Sequence, residues 1–335
     1  MRPLADWGRR RILLAASALA SPFMSMAQTA LAKQATVGYL NSAGRSRDDS
    51  PSARGILDGL AAAGWIEERN LKFDERYGAG NLESTPQLAA DLVWAMPQVI
   101  VAALGGTDAL ALKRATGSIP IVATNVLDPV SLGLAQTLAH PGGNVTGVIW
   151  ADIGLGAKLV ELIRDAMPRA KRIAVLHQPD GLAGVEPYIV AMERAAKLLG
   201  LSMMRSLVRR REDLVPAFEG LRAAGIEAFV LTGTALTIAQ RQTIAELAIQ
   251  YQLASFTVLP LFVDAGMLMS YSPNAADAYS RVAAQVDRIL RGAKPAEMPF
   301  EYPTRYELVV NGKTALAIGV TLSPAILARS DRVVN

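Results

Sequence analysis

From position 36 onward, apolar residues come in short unbroken runs separated by stretches with helical spacing. Thr36-Val37-Gly38-Tyr39-Leu40 reads as a strand, and residues 41–52 are polar and loop-like. Ile56, Leu57, Leu60 and Ala61 then recur on one helix face, and Gly64 stops that helix at its C-terminal end. A strand around Leu71-Lys72-Phe73 follows, then a helix over 85–95 and the strand Val99-Ile100-Val101-Ala102-Ala103. Leu104-Gly105-Gly106-Thr107 is a turn that opens a helix, and Ile119-Pro120-Ile121-Val122-Ala123 is another strand.

The second half replays this order at an offset of roughly 130 positions, too long for a solenoid repeat. Arg172-Ile173-Ala174-Val175-Leu176 is a strand and residues 177–184 form a loop. A helix over 188–199 closes at Gly200, a strand begins at Leu201, and a helix spans 214–224. After the strand Ala228-Phe229-Val230-Leu231, the turn Thr232-Gly233-Thr234 opens a helix, as Gly105-Gly106-Thr107 does in the first half. Leu253-Ala254-Ser255-Phe256-Thr257 ends the cycle as a strand. The pattern predicts two similar α/β lobes, each a doubly wound parallel sheet covered by helices on both faces. In such sheets ligands bind beyond the carboxyl ends of the strands. Here those ends carry Gly, Ser, Thr and Asn, and the helices that begin there offer unbonded N–H groups and a partial positive charge. Two lobes facing each other across these ends would enclose a small molecule.

The first 32 residues change the picture of charge. Arg9-Arg10-Arg11 precedes the apolar run from Ile12 to Ala20, and small-residue sites follow at Ser25-Met26-Ala27 and Ala30-Leu31-Ala32. This is the layout of a cleaved export signal, by the Sec or the twin-arginine route. The 335-residue chain carries a net charge of +4, and this leader accounts for three of those charges through Arg2, Arg9, Arg10, Arg11 and Asp6. The near-neutral remainder gives no electrostatic footprint for nucleic acid. No later stretch offers 18 uninterrupted apolar residues.

Candidate chemistry is sparse. The absence of Cys excludes disulfides, zinc-thiolate sites and thiolate nucleophiles, and two His leave little material for a histidine metal site; neither a metal nor a cofactor is expected. Gly312-Lys313-Thr314 resembles the tail of a phosphate-binding loop, but Glu307 stands where its first Gly belongs. No catalytic residue is assigned. A secreted α/β enzyme using Asp128 with a Thr or His is the alternative reading. His177 ends a strand on the cleft side, where a lone polar loop residue is the plainer interpretation. Thr107 reads equally as a helix N-cap and as a carboxylate contact, because one helix end can serve both. Asp128 before Pro129 reads either as a turn residue or as a ligand contact.

Several stretches resemble one family of bacterial ABC-transporter substrate-binding proteins, which includes tryptophan-binding members. They are Gly55-Ile56-Leu57-Asp58-Gly59-Leu60 with Gly64-Trp65, then Ile119-Pro120-Ile121-Val122, Asp128-Pro129-Val130 and His140-Pro141-Gly142-Gly143-Asn144-Val145-Thr146-Gly147. Ala265-Gly266-Met267-Leu268-Met269-Ser270-Tyr271, Ile289-Leu290-Arg291-Gly292-Ala293-Lys294-Pro295 and Glu307-Leu308-Val309-Val310-Asn311 complete them. The resemblance implies a type I periplasmic-binding-protein fold with two lobes joined by three crossings. It also implies a periplasmic location, a small-molecule ligand, and partnership with an inner-membrane permease and its ATPase; the protein is expected to be a monomer. Departures from the family fall at Thr107-Asp108, where relatives have Thr-Pro, at Gly233, where they often have Asp, and at Pro260-Leu261, where an Arg-Glu pair is common.

The expected organisation is a signal peptide over 1–32, one lobe from 35–148 with 274–297, and a second from 149–273 with 298–335. The expected ligand contacts are Asn41, Ser42, Gly106, Thr107, Asn125, Asp128, Gln178, Thr232, Gly233, Thr234 and Thr257. The expected ligand is a small organic molecule held by its carboxylate, aromatic or amino-acid-like, with Trp150 as a candidate aromatic wall or hinge residue.

Overall fold

The computed structural model describes residues 34–150, 153–179 and 185–335, so the export signal expected over residues 1–32 lies outside the described residues. The first half of the chain builds β1 (Ala35–Asn41), α1 (Pro51–Ala62), β2 (Leu71–Tyr77), α2 (Thr85–Trp94), β3 (Val99–Ala102), α3 (Gly105–Ala115), β4 (Ile121–Val126) and β5 (Val145–Ile149). Its strands form a five-stranded sheet in the order β2-β1-β3-β4-β5, with every pair parallel. Strands β3 and β5 are buried at every position, as unbroken apolar runs in a sheet covered on both faces must be.

The second half adds α4 (Ile153–Ala166), β6 (Arg172–His177), α5 (Val185–Leu198), β7 (Ser202–Leu207), α6 (Leu214–Ala223), β8 (Ala228–Leu231), α7 (Ala235–Ala239), α8 (Arg241–Gln250), β9 (Ala254–Thr257), α9 (Pro260–Asp264) and β10 (Met269–Pro273). After α10 (Ala275–Leu290) come β11 (Tyr306–Asn311), α11 (Gly312–Ala317), α12 (Pro324–Arg329) and β12 (Arg332–Val334). The second sheet has seven strands in the order β12-β11-β10-β9-β8-β6-β7. Pairing is parallel throughout except between β10 and β11, which are antiparallel because the chain leaves this sheet at Pro273 and re-enters it at the same end, with Tyr306 opposite Pro273. Helices α4 and α10 are not among the elements read from the pattern above. The first is amphipathic, with Leu155, Leu159, Val160 and Ile163 all buried.

The chain passes between the sheets three times. It leaves the first sheet after β5 and the second after β10. Helix α10 then packs beside α1, and its Val282, Ala283 and Val286 join the core of the first sheet. Residues 299–301 run along β5, with the Ile149 amide donating to the Glu301 carbonyl at 2.9 Å, before the chain enters β11. Gln285 of α10 ties these passages together, donating to the Gly147 carbonyl at 3.3 Å and to Glu301 Oε1 at 3.1 Å.

Candidate ligand site between the two sheets

The turn after β3 is shaped by a close backbone approach. Gly105 has φ of 51°, and a Cβ there would sit 2.2 Å from the Asn125 carbonyl oxygen. Only Gly fits this turn. Asn125 itself adopts φ of 60° at a register shift in β4, and its Nδ2 donates to the Ala103 carbonyl at 3.1 Å. That bond fixes the amide so that Oδ1 faces away, buried and without a partner.

The structure corrects the capping role read for Thr107. The N-cap of α3 is Leu104, and Thr107 lies in the first turn with its hydroxyl buried and unbonded. The side chain that secures this helix end is Asp108. Its Oδ2 accepts from the Leu104 amide at 2.9 Å, and its Oδ1 accepts from the Ser42 hydroxyl at 2.5 Å. Burial pushes the Asp108 carboxyl up to about 6, against the lowering effect of these donors. Asp108 thus locks the turn after β1 to the turn after β3. The sequence offered one signal for it, an acid in the first turn of a helix.

The other first-sheet residues divide by the state of their polar atoms. Asn41 is committed to its own loop, accepting from the Ala43 and Gly44 amides at 3.1 and 2.9 Å and donating to Ser50 Oγ at 3.0 Å. Ser42 is committed to Asp108. Asp128 accepts from the amides of Val130 and Ser131 at 3.1 and 3.0 Å, so its Oδ1 serves the turn. Gly106 is buried in the first turn of α3, where a helix provides no backbone acceptor for the amide.

In the second sheet, Thr234 is the N-cap of α7 and forms a reciprocal pair with Thr237. The Thr234 amide donates to Thr237 Oγ1 at 2.8 Å, and the Thr237 amide donates back to Thr234 Oγ1 at 3.2 Å. Thr257 accepts from the Leu259 amide at 3.4 Å. Gly233 faces Leu259, whose Cδ1 would lie 2.3 Å from a Cβ at 233, so the place of a larger side chain is filled by leucine. Thr232 Oγ1 is buried and unbonded. Gln178 donates through Nε2 to the Arg209 carbonyl at 3.4 Å, which leaves Oε1 buried and unbonded. His177, expected to end a strand on the cleft side, is the last residue of β6. It is buried, with neither ring nitrogen bonded among the described residues. Burial, then the nearby Arg205 charge, holds its pKa below the ordinary value.

The two sets of turns meet. Ala43 and Leu104 from the first sheet share one apolar cluster with Ala235 at the start of α7, and Leu82 and Ile238 pack against it. Leu104 is the residue before α3, and Ala235 directly follows Thr234. Thr107 in the first turn of α3, and Asn125, Gln178 and Thr232 at or just beyond strand ends, each carry a buried oxygen with no partner among the described residues. A buried polar atom without a partner is costly, and a bound molecule is a common reason for one. Trp150, directly after β5, donates through Nε1 to the Val258 carbonyl at 3.0 Å, and its ring stacks on Tyr279 of α10 at 6.1 Å between centroids.

Two parallel α/β sheets joined by three passages of chain, with polar groups at the turns where they meet, make a two-lobed α/β protein. Residues 46–334 match the model of the ABC transporter substrate binding protein family, and the chain belongs to that family. It is the substrate-binding, non-catalytic component of an ABC transporter, and proteins of this kind work outside the cytoplasm.

Among solved structures, a conserved domain protein from Vibrio cholerae is 27% identical with a TM-score of 0.82, covering 90% of this chain and 100% of that one. A domain from Streptococcus pneumonia in complex with L-Trp has a TM-score of 0.81 and the same coverage. Its 22% identity speaks to the fold. A tyrosine-binding protein from Clostridioides difficile is 33% identical over 124 residues, which is 37% of this chain and only 35% of that protein.

Proposed function

We propose that this protein is a periplasmic receptor for a small organic carboxylate with an aromatic or amino-acid-like body, which it hands to an inner-membrane permease driven by an ATPase. The ligand lies between a lobe of residues 35–148 with 274–297 and a lobe of residues 149–273 with 298–335. The observation that carries this reading is the start of α3, where the Thr107 hydroxyl has no protein partner beside the interlobe contact at Leu104. Backbone amides and the helix dipole favour an anion there. The fixed amides of Asn125 and Gln178 present acceptor oxygens, which suit an amino or hydroxyl donor on the same ligand. The relatives named for tyrosine and L-Trp support an aromatic amino acid within this class.

Calorimetric titration against aromatic amino acids, aromatic carboxylates and uncharged sugars tests the reading. A carboxylate is expected to bind and to stabilise the protein by about 2.7 kcal/mol at one hundred times its Kd. Thr107→Val is expected to cost about 0.5–1.5 kcal/mol of affinity, or up to about 3 if its bond is to a charged group, with unfolding stability unchanged. Tight binding of a sugar alone would end the carboxylate assignment.

A further inference from the structure

Around the apolar contact between the lobes stand two arginines, one from each lobe. Arg241, the first residue of α8, pairs with Asp49 in the loop between β1 and α1. The same guanidinium donates through Nη1 to the Ile238 carbonyl of its own lobe at 3.0 Å, so the group is held in place before it reaches across. In the reverse direction, Arg45 donates to the Ala239 carbonyl at 3.4 Å. Between them the backbone comes close: a Cβ at Gly80 would lie 2.8 Å from Ala239 Cβ and 3.1 Å from the Ala235 carbonyl.

We propose that Arg241 and Asp49 are positioning residues that clasp the two lobes together over the ligand site and so set how long a ligand remains bound. The loop that carries Asp49 begins at Ser42, which Asp108 locks to the start of α3. Helix α7, immediately before Arg241, begins at the Thr234 cap. Each partner of the ion pair therefore lies a short stretch of chain from a turn proposed to face the ligand. Any separation of the lobes breaks the pair, the Arg45 bond and the Leu104–Ala235 contact together. The pair is about a quarter to a third exposed, with side-chain exposures of 30% for Arg241 and 23% for Asp49. It lies beside an open groove that also holds Asp48, Arg54 and Asp264, so solvent moderates its strength. Arg54 donates to the Asp48 carbonyl and Asp264 pairs with Arg332, which leaves Asp49 as the acid that meets Arg241.

The clasp rests on reading the space between the lobes as the ligand site, but its test needs no ligand. The chain has no Cys, so spin labels can be placed at Trp94→Cys and Leu198→Cys, positions 87% and 88% exposed on the two lobes. Double electron–electron resonance then reads the interlobe distance in the ligand-free protein. The wild type is expected to populate the short separation. Arg241→Asp and Asp49→Arg are each expected to reduce that population about two- to fivefold, the range for a partly exposed ion pair. The double swap D49R/R241D is expected to restore it. Absence of the short separation in the wild type overturns the clasp. So does an unchanged population in both single variants, or a loss that the swap fails to restore. A failed carboxylate titration with a working swap would overturn the ligand assignment and leave the clasp standing.

Discussion

At the scale of single residues, the site is organised by a carboxylate that touches protein alone. Asp108 is buried, and its pKa rises from 3.8 to about 6 because desolvation outweighs its donors. A carboxyl whose folded pKa is raised holds its proton longer in the native state than in the unfolded one. Its contribution to stability is therefore complete below about pH 4 and is lost as pH rises towards 6, by on the order of 3 kcal/mol. Asp108→Asn removes that slope. Urea unfolding of both proteins from pH 4 to pH 7 should show the variant gaining relative to wild type as pH rises, while a constant difference would contradict it. Ser42→Ala removes the hydroxyl donor from the same carboxylate and should cost about 1–3 kcal/mol at neutral pH by the same measurement. Thr107 behaves differently, because its hydroxyl has no protein partner to lose.

At the scale of elements, the decisive piece is the turn from β3 into α3. Gly105 and Asn125 both hold left-handed backbone, and their contact sets the angle at which α3 presents its first amides. Gly105→Ala should destabilise the protein by at least about 2 kcal/mol, since a Cβ both strains the backbone and meets a carbonyl oxygen that has no room to retreat. Chemical denaturation checks this, and a loss below about 0.5 kcal/mol would show that the turn can yield. The Gly-Gly pair marked this turn in the sequence, and the strand ends were legible from their apolar runs. Which side chain secures the helix was not legible. Thr107 and Asp108 are both ordinary residues for a helix start, and only the position of Ser42 across the turn decides that the acid does the work.

At the scale of the whole molecule, the lobes are joined as much by side chains as by the three passages of chain. Trp150 begins the first passage, stacks on Tyr279 of α10, and reaches the Val258 carbonyl just beyond β9 of the second sheet. Trp150→Phe keeps most of the ring stacking and leaves that buried carbonyl unpaired. It should cost about 1–3 kcal/mol in urea unfolding and broaden the interlobe distance distribution. An unchanged distribution would show that the passages alone fix the hinge.

The sequence by itself determined the repeat, the run of strands and helices in each lobe, and the turns at the strand ends. These follow from apolar periodicity and glycine placement, which act over a few residues. It did not determine the antiparallel return at β10 and β11, since strand direction depends on where a chain re-enters a sheet. Nor did it separate Asn41, Ser42, Asp128, Thr234 and Thr257, whose polar atoms are taken up by the protein, from Thr107, Asn125, Gln178 and Thr232, whose oxygens remain unbonded. Hydroxyls and amides of the same kind occupy both groups. What distinguishes them is whether a partner from a distant part of the chain lies within about 3 Å, and only the folded arrangement of two lobes brings such partners together.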